Sequence, residues 1–497
     1  MRILILRLSS LGDVALLSPV FEDIKRVYPQ AHIACLVKPA YAGLVASSAF
    51  VDEVLVFEGF WPTLKLLRSK KWDAILDLHA VLRTRLLAAL VVAKRKITYR
   101  KNILGRLRMV LKGVSGESPV HVAERYKETL KPLGVGLKRA VVLQTAFLGD
   151  AILTLPLLSR VKSELQPESL AVVTRPEHEA MFAREGFRVI VDDKRGQDGG
   201  IGGIFRMIRR LRKENFDLAL VPHRSLRSAV IAWGAGIGLR VGFESSAGSL
   251  FFNKTVPFEW PIHDSERNLR LFEKGSLGPA GNGQAFKISI KPEDRQRARK
   301  VWETFGVDPA KEFLVGILPG SKWATKRWLP ERFGQAALKL SELHPNCRAV
   351  FFGGPEDRAL CDQIAGWVGG NALNLAGKVA IGNLPALIAD LKLFVSNDSG
   401  PMHLAYGSGV PTVAIFGPTI QGFGFFPQGP ASRVVEVRDL ECRPCGLHGG
   451  DSCPQGHFLC MRLITVGQVI KACEEATKQG ERGERSQRGQ RREGISR

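Results

Sequence analysis

The strongest constraint on this chain is that it contains its own N-terminal third twice. One copy opens on the apolar run Ile3 to Leu6, passes through Ser10, Leu11, Gly12 and Asp13, and reaches Pro19. The other opens on Val141 to Leu143, passes through Phe147, Leu148, Gly149 and Asp150, and reaches Pro156. Asp150 follows Asp13 by 137 positions, and Pro156 follows Pro19 by the same 137. Later landmarks keep the order. Trp72 to Leu76 leads to His79 and Arg83, as Phe216 to Leu220 leads to His223 and Arg227. His121 with Glu124 and Arg125 is matched by His263 with Glu266 and Arg267. A repeat of this length is a domain-sized unit, so the two copies are expected to share one fold.

Each copy alternates short apolar runs with longer segments of 3.6-residue periodicity, such as Val14 to Val27 and Ala151 to Leu165. That alternation predicts parallel sheets with right-handed helical crossovers. A Gly- and Pro-rich stretch, Gly275 to Gly283, precedes a third unit of the same kind. Its strands are expected at Phe313 to Ile317, Ala349 to Phe352, Leu393 to Ser396 and Thr412 to Phe416. The expected fold class is therefore α/β, with Rossmann-like doubly wound domains at 1–137, 138–285 and 286–477. A prior of roughly 150 residues per domain fits three domains in a chain of this length. Residues 478–497 are rich in Gly, Arg, Glu and Gln and almost without apolar side chains, which predicts a disordered basic tail.

The net charge of +23 favours an anionic partner. The excess gathers in two blocks, one from Lys94 to Lys112 and one from Arg206 to Lys213, for which solvated helix faces are the plain alternative. No RNA-recognition signature or zinc-finger spacing is present, so nucleic acid is not expected as the partner. The apolar start is short and gives way at once to Arg7 and Ser9, unlike a secretory signal. No stretch approaches the roughly 18 apolar residues that a spanning helix needs. The expected location is cytoplasmic, with peripheral contact between the basic blocks and the anionic inner membrane surface.

Chemistry concentrates at strand ends. Phe394 to Ser396 runs into Asn397, Asp398, Ser399, Gly400 and, one turn on, His403. A turn opening a helix at the carboxyl end of a parallel strand offers free N–H groups and a partial positive charge to a phosphate. Capping of the helix by Asp398 or Ser399 is the competing reading. Gly320, Ser321, Lys322 and Lys326 follow the strand expected at Phe313 to Ile317, where a lysine can pair with a diphosphate as a point charge. Glu356 follows Gly353 and Gly354, a position suited to a ribose diol or to capping. Gly12-Asp13 and Gly149-Asp150 place a glycine at a tight turn and a carboxylate at a helix start. Either aspartate is a candidate general base for an acceptor hydroxyl.

Taken together, these segments resemble glycosyltransferase family 9, the bacterial lipopolysaccharide heptosyltransferases. The resemblance rests on Asp398 to Leu404 with Gly409 to Thr412 and Phe416 to Thr419, on Pro319 to Ser321 with Lys326 to Trp328, and on Leu148 to Asp150. It implies a GT-B fold, in which two Rossmann-like domains face across a cleft. It further implies inverting, metal-independent transfer from ADP-heptose, a co-substrate rather than a resident cofactor, to the lipopolysaccharide core. The Leu-Gly-Asp aspartate would be the base and Lys326 would stabilise departing ADP. Gly320, Ser321, Lys322, Asp398, Ser399, Gly400 and His403 would hold the donor, and Glu356 its nucleoside.

The chain departs from that family in having an extra N-terminal domain, of which only one copy can close on the donor half. Asp150 is preferred to Asp13 because its copy is contiguous with that half. Two alternatives stay open: a transferase of this fold using another nucleotide sugar, and a catalytically silent nucleotide-binding scaffold at the membrane. Cys442, Cys445, Cys453 and Cys460 have spacings compatible with a tetrahedral zinc site, although reduced thiols in a Gly-rich loop account for them as well.

Overall fold

A computed structural model describes residues 1–99, 122–275, 277 and 286–495. His121, the basic residues from Arg100 to Lys112 and most of the 275–283 linker lie outside the described residues. The chain divides into two compact units: residues 1–139 with 215–218 and 237–239, and the remainder.

The first unit is built on one sheet. Its strands are β1 (Arg2–Leu6), β2 (His32–Val37), β3 (Glu53–Val56), β4 (Trp72–Asp77) and β5 (Ala93–Thr98), in the spatial order β3-β2-β1-β4-β5. Every pairing is parallel. Alternation of side chains explains why both faces are covered. Ile3 and Ile5 join Ile33, Cys35 and Val37 in one core, whereas Leu4 and Leu6 join Ala34, Leu36 and Ile75 in another.

The second unit carries two sheets. One comprises β6 (Arg139–Leu143), β7 (Ser169–Thr174), β8 (Arg188–Val191), β9 (Leu218–Val221), β10 (Leu239–Phe243) and β11 (Lys254–Val256), ordered β11-β10-β9-β6-β7-β8. The other comprises β12 (Phe313–Leu318), β13 (Cys347–Phe351), β14 (Ala372–Asn374), β15 (Leu393–Asn397), β16 (Thr412–Phe416) and β17 (Ser432–Glu436), ordered β14-β13-β12-β15-β16-β17. All pairings in this last sheet are parallel. Each sheet has its first strand central, the next two to one side and the later ones to the other. This is the doubly wound order, whose reversal point beside the first strand is where ligands bind. The sheets of both N-terminal copies follow this order, as the repeat predicts.

The tail departs from expectation. A helix runs from Val466 through Ile495, across the stretch whose composition predicts disorder. Its first turns bury Val469, Ala472, Cys473 and Ala476 in the core of the third sheet. Once that nucleus exists, each further residue adds a hydrogen bond at little cost, and the Glu, Gln and Arg that follow are good helix formers. Among the described residues, no helix is long and apolar enough to cross a membrane.

Candidate active site

The second unit holds a cavity of about 780 Å³ between its two sheets, at the carboxyl ends of their strands. It brings together Asp150, Gly320, Ser321, Lys322, Lys326, Glu356, Asp398, Ser399, Gly400 and His403, from segments more than two hundred residues apart. A second cavity of about 350 Å³ adjoins it, lined by Gln144, Asp150, His223, Arg224, Trp260 and Asp264 among others. Asp150, Phe147 and His448 line both. Asp13 belongs to the first unit.

The donor-side turn is held from below. Asn397 donates to the Pro319 carbonyl at 2.7 Å and accepts from the Trp328 amide at 2.9 Å, so β12 and β15 end in register. Lys326 Nζ lies 2.6 Å from Asp398 Oδ2, which also accepts from Thr419 Oγ1 at 2.7 Å. Asp398 is thus engaged in aiming Lys326. An ammonium has three donors, so this pairing leaves others for a ligand. Arg327 Nε donates to the Ser321 carbonyl at 2.8 Å, shaping the loop between. Ser399 Oγ and His403 Nδ1 are buried without hydrogen-bond partners among the described residues. Burial, then the neighbouring His263, hold His403 well below the usual histidine range, so it is neutral. Lys322 Nζ sits 3.9 Å from the centroid of the Phe147 ring. Burial, then Arg195 and Arg175, depress its ammonium.

Glycine in the Leu-Gly-Asp turn has a different purpose from the tight turn expected of it. Gly12 and Gly149 do not adopt positive φ. A Cβ on Gly149 would lie 3.3 Å from the His403 ring, and one on Gly400 would lie 3.1 Å from the Gly149 amide nitrogen. Two helix starts, Leu148–Ile152 and Gly400–Gly407, meet glycine to glycine, which sets Asp150 beside the Asp398 turn. At Gly12 a Cβ would meet nothing within 4 Å. Gly400→Ala is therefore expected to cost about 1–3 kcal/mol, because both the Leu148 side chain and the Gly149 backbone must give way. Gly12→Ala should stay within about 0.5 kcal/mol of the parent. Thermal unfolding of the two variants checks the contrast.

The two aspartates of the repeat sit in opposite electrostatic settings. Burial pushes the Asp13 carboxyl up, but the paired Arg7 guanidinium and Ser10 outweigh it and hold Asp13 below the usual range. Position 144, the counterpart of Arg7, is Gln, whose amide donates to Thr154 Oγ1 at 2.9 Å. Asp150 accepts the Phe147 amide at 3.2 Å, as a helix cap does, and no cation pairs with it as Arg7 pairs with Asp13 among the described residues. Burial, then the like charge of Asp264, push Asp150 up to about 7. Asp264 is raised too, mainly by burial. Asn268 donates to Asp264 at 3.3 Å and to the Leu153 carbonyl at 3.2 Å, tying Asp264 to the end of the short helix that carries Asp150. Arg267, fully buried, lies 3.3 Å from Asp264. Sequence reasoning named Arg267 only as a landmark of the repeat and missed Asp264, which stands next to His263.

Cys442 Sγ lies 3.9 Å from His457 Nε2, and Cys445 Sγ 3.1 Å from the Cys442 carbonyl oxygen. Among the described residues, no group of three or more His, Cys, Asp or Glu side chains is arranged to hold a metal ion. The loop bearing these thiols instead braces the Lys326 loop: Thr325 Oγ1 donates to the Gly450 carbonyl at 2.9 Å and accepts from its amide at 2.8 Å.

Two doubly wound layers facing across a cleft, with strand-end turns as its lining, define a GT-B protein. Residues 204–449 match the family described as glycosyltransferase family 9 (heptosyltransferase). A lipooligosaccharide heptosyltransferase 2 of Campylobacter jejuni serotype O:2 is 34% identical over 33% of this chain and 51% of its own length. The protein of the same description from serotype O:6 is 26% identical over 65% of this chain and 95% of its own. The crystal structure of a family 9 glycosyl transferase from Veillonella parvula superposes with a TM-score of 0.61 at 26% identity, covering 68% of this chain and 97% of that one. The chain spans about half the length of the first relative and nearly all of the second. It belongs to glycosyltransferase family 9.

Proposed function

We propose that the chain moves heptose from ADP-heptose to the inner core of lipopolysaccharide with inversion at the anomeric carbon. The observation that carries this is the position of Asp150 in the wall shared by the two cavities. The larger cavity takes the donor. Lys326, Gly320, Ser321, Lys322, Ser399, Gly400 and His403 surround its diphosphate, and Glu356 meets its nucleoside. The smaller cavity takes the acceptor sugar. Asp150 accepts the proton of the acceptor hydroxyl while that oxygen attacks the anomeric carbon. The bond to the diphosphate breaks on the opposite face, and ADP leaves with the electron pair against Lys326. Asp398 positions Lys326 for that task. Asp13, paired with Arg7, takes no part. The two relatives support a lipooligosaccharide acceptor by their names.

This reading places the protein on the cytoplasmic side of the inner membrane, where its positive charge attracts the anionic acceptor and the lipid around it. Titration with ADP-heptose, UDP-sugars and GDP-sugars tests it. Saturable transfer with ADP-heptose alone is expected. Preference for a uridine or guanosine donor overturns the donor assignment. Tight ADP binding without any transfer makes the chain a nucleotide-binding scaffold.

A further inference from the structure

The first unit contributes nothing to the reaction proposed above, yet it carries an unusual face. Helix Phe60–Arg68 and helix Leu82–Leu90 pack side by side over the first sheet, and Arg68 Nε donates to the Leu90 carbonyl at 3.0 Å. Leu64, Leu67 and Leu87 point into the core. The opposite sides are apolar as well. Leu82, Leu86 and Leu90 recur every fourth residue and are 76%, 45% and 40% exposed. Trp61 at 73% and Val92 at 84% extend the stripe. An apolar surface of this kind, carried on helices already packed on their inner side, marks an interaction site.

Its surroundings say what the partner is. Lys65, Arg68, Arg83 and Arg85 lie on the same two helices, neither of which carries a carboxylate, and β5 adds Lys94, whose ammonium pairs with Asp73 at 2.7 Å, and Lys96. We propose that this face docks the protein on an anionic phospholipid bilayer, with Trp61 and the leucines entering the interface and the cations meeting lipid phosphates. A second copy of the chain is a poorer occupant, because like charges would meet across the contact. The repeat supplies an independent sign. Leu226 stands three residues after His223 as Leu82 stands three after His79, and it is 50% exposed. Ile201 and Phe205 are exposed on helix Gly200–Glu214, which also bears Arg206, Arg209 and Arg210. Both copies thus kept apolar side chains outside on the corresponding helix pair. The extra domain is a membrane-docking module.

This inference deepens the peripheral contact proposed above, but its readout is lipid binding, so a catalytically silent protein that binds as expected leaves it intact. The full chain should sediment with vesicles of equimolar phosphatidylglycerol and phosphatidylcholine, weaken as salt rises, and ignore phosphatidylcholine alone. The variant Trp61→Gln/Leu82→Gln/Leu86→Gln alters exposed positions only and should keep the parent's thermal midpoint while losing roughly tenfold or more in anionic-vesicle affinity. A second variant, Arg85→Gln/Lys94→Gln/Lys96→Gln, should lose most of the salt dependence. Three results overturn the proposal: no binding by the parent, equal binding by the apolar variant, or a parent dimer that the apolar variant converts to a monomer.

Discussion

Asp150→Asn is expected to lower kcat about 10³-fold, within the usual contribution of a general base, while ADP affinity changes less than about twofold. The amide still caps the helix at the Phe147 amide, so the fold should survive. Asp13→Asn, made alongside, should leave transfer within about twofold of the parent, because its carboxylate is spent on Arg7. Equal losses in the two variants would mean that the repeat, rather than Asp150 alone, builds the reaction site. The pH profile gives a sharper test. The proposed base is the Asp150 carboxylate, and its folded value is raised to about 7. Activity should therefore be low under acidic conditions and rise through neutral pH to a plateau. Asp264→Asn removes a like charge and leaves Arg267 as a nearby cation, both of which favour the ionised form of Asp150. The inflection should move to lower pH. A profile that stays in place when Asp264 is replaced would separate the two carboxyls.

The contrast between the two aspartates explains what could and could not be read from the residues alone. The period, the alternation of strand and helix, and the strand-end turns were legible because each is a local pattern. The doubly wound order follows from them, since short crossovers between parallel strands leave few topologies. The preference for Asp150 over Asp13 rested on contiguity, whereas the contrast in their surroundings comes from differences between the copies. Position 7 is Arg where 144 is Gln, position 122 is Val where 264 is Asp, and position 126 is Tyr where 268 is Asn. Two of the three residues of the first copy, Arg7 and Tyr126, lie at Asp13. In the first copy Arg7 neutralises Asp13 and lies over the Tyr126 ring. In the second, an uncharged amide and a second carboxylate leave Asp150 available. The purpose of Gly149 was hidden because it depends on Gly400 and His403, more than two hundred residues on. The helix beyond residue 477 was hidden because composition reports how little a segment can bury, not what nucleates it.

Lys326→Ala is expected to remove roughly 10²–10³ in kcat, the usual loss when one group aimed at a developing charge is deleted. The geometry also predicts a structural effect, and the two must be separated. Lys326 and Asp398 form a buried pair, with side chains 13% and 7% exposed. Deleting the lysine leaves Asp398 with Thr419 and no cation at 2.6 Å. An uncompensated buried charge costs about 3–5 kcal/mol, so the single variant should melt lower as well as turn over more slowly. The double variant Lys326→Ala/Asp398→Asn removes the stranded charge and should regain most of the stability. It should not regain activity, because the cation proposed to meet the departing diphosphate is still missing. Asp398→Asn alone keeps the lysine but loosens its aim, so its kcat should fall between the parent and the two lysine variants. Recovery of turnover in the double variant would reduce Lys326 to a structural partner of Asp398 and remove it from the reaction. Failure to recover, with the thermal midpoint restored, assigns the loss to the leaving group. This separation works only because Asp398 is held by the lysine and a hydroxyl, so the charge balance of the turn can be repaired without restoring the cation.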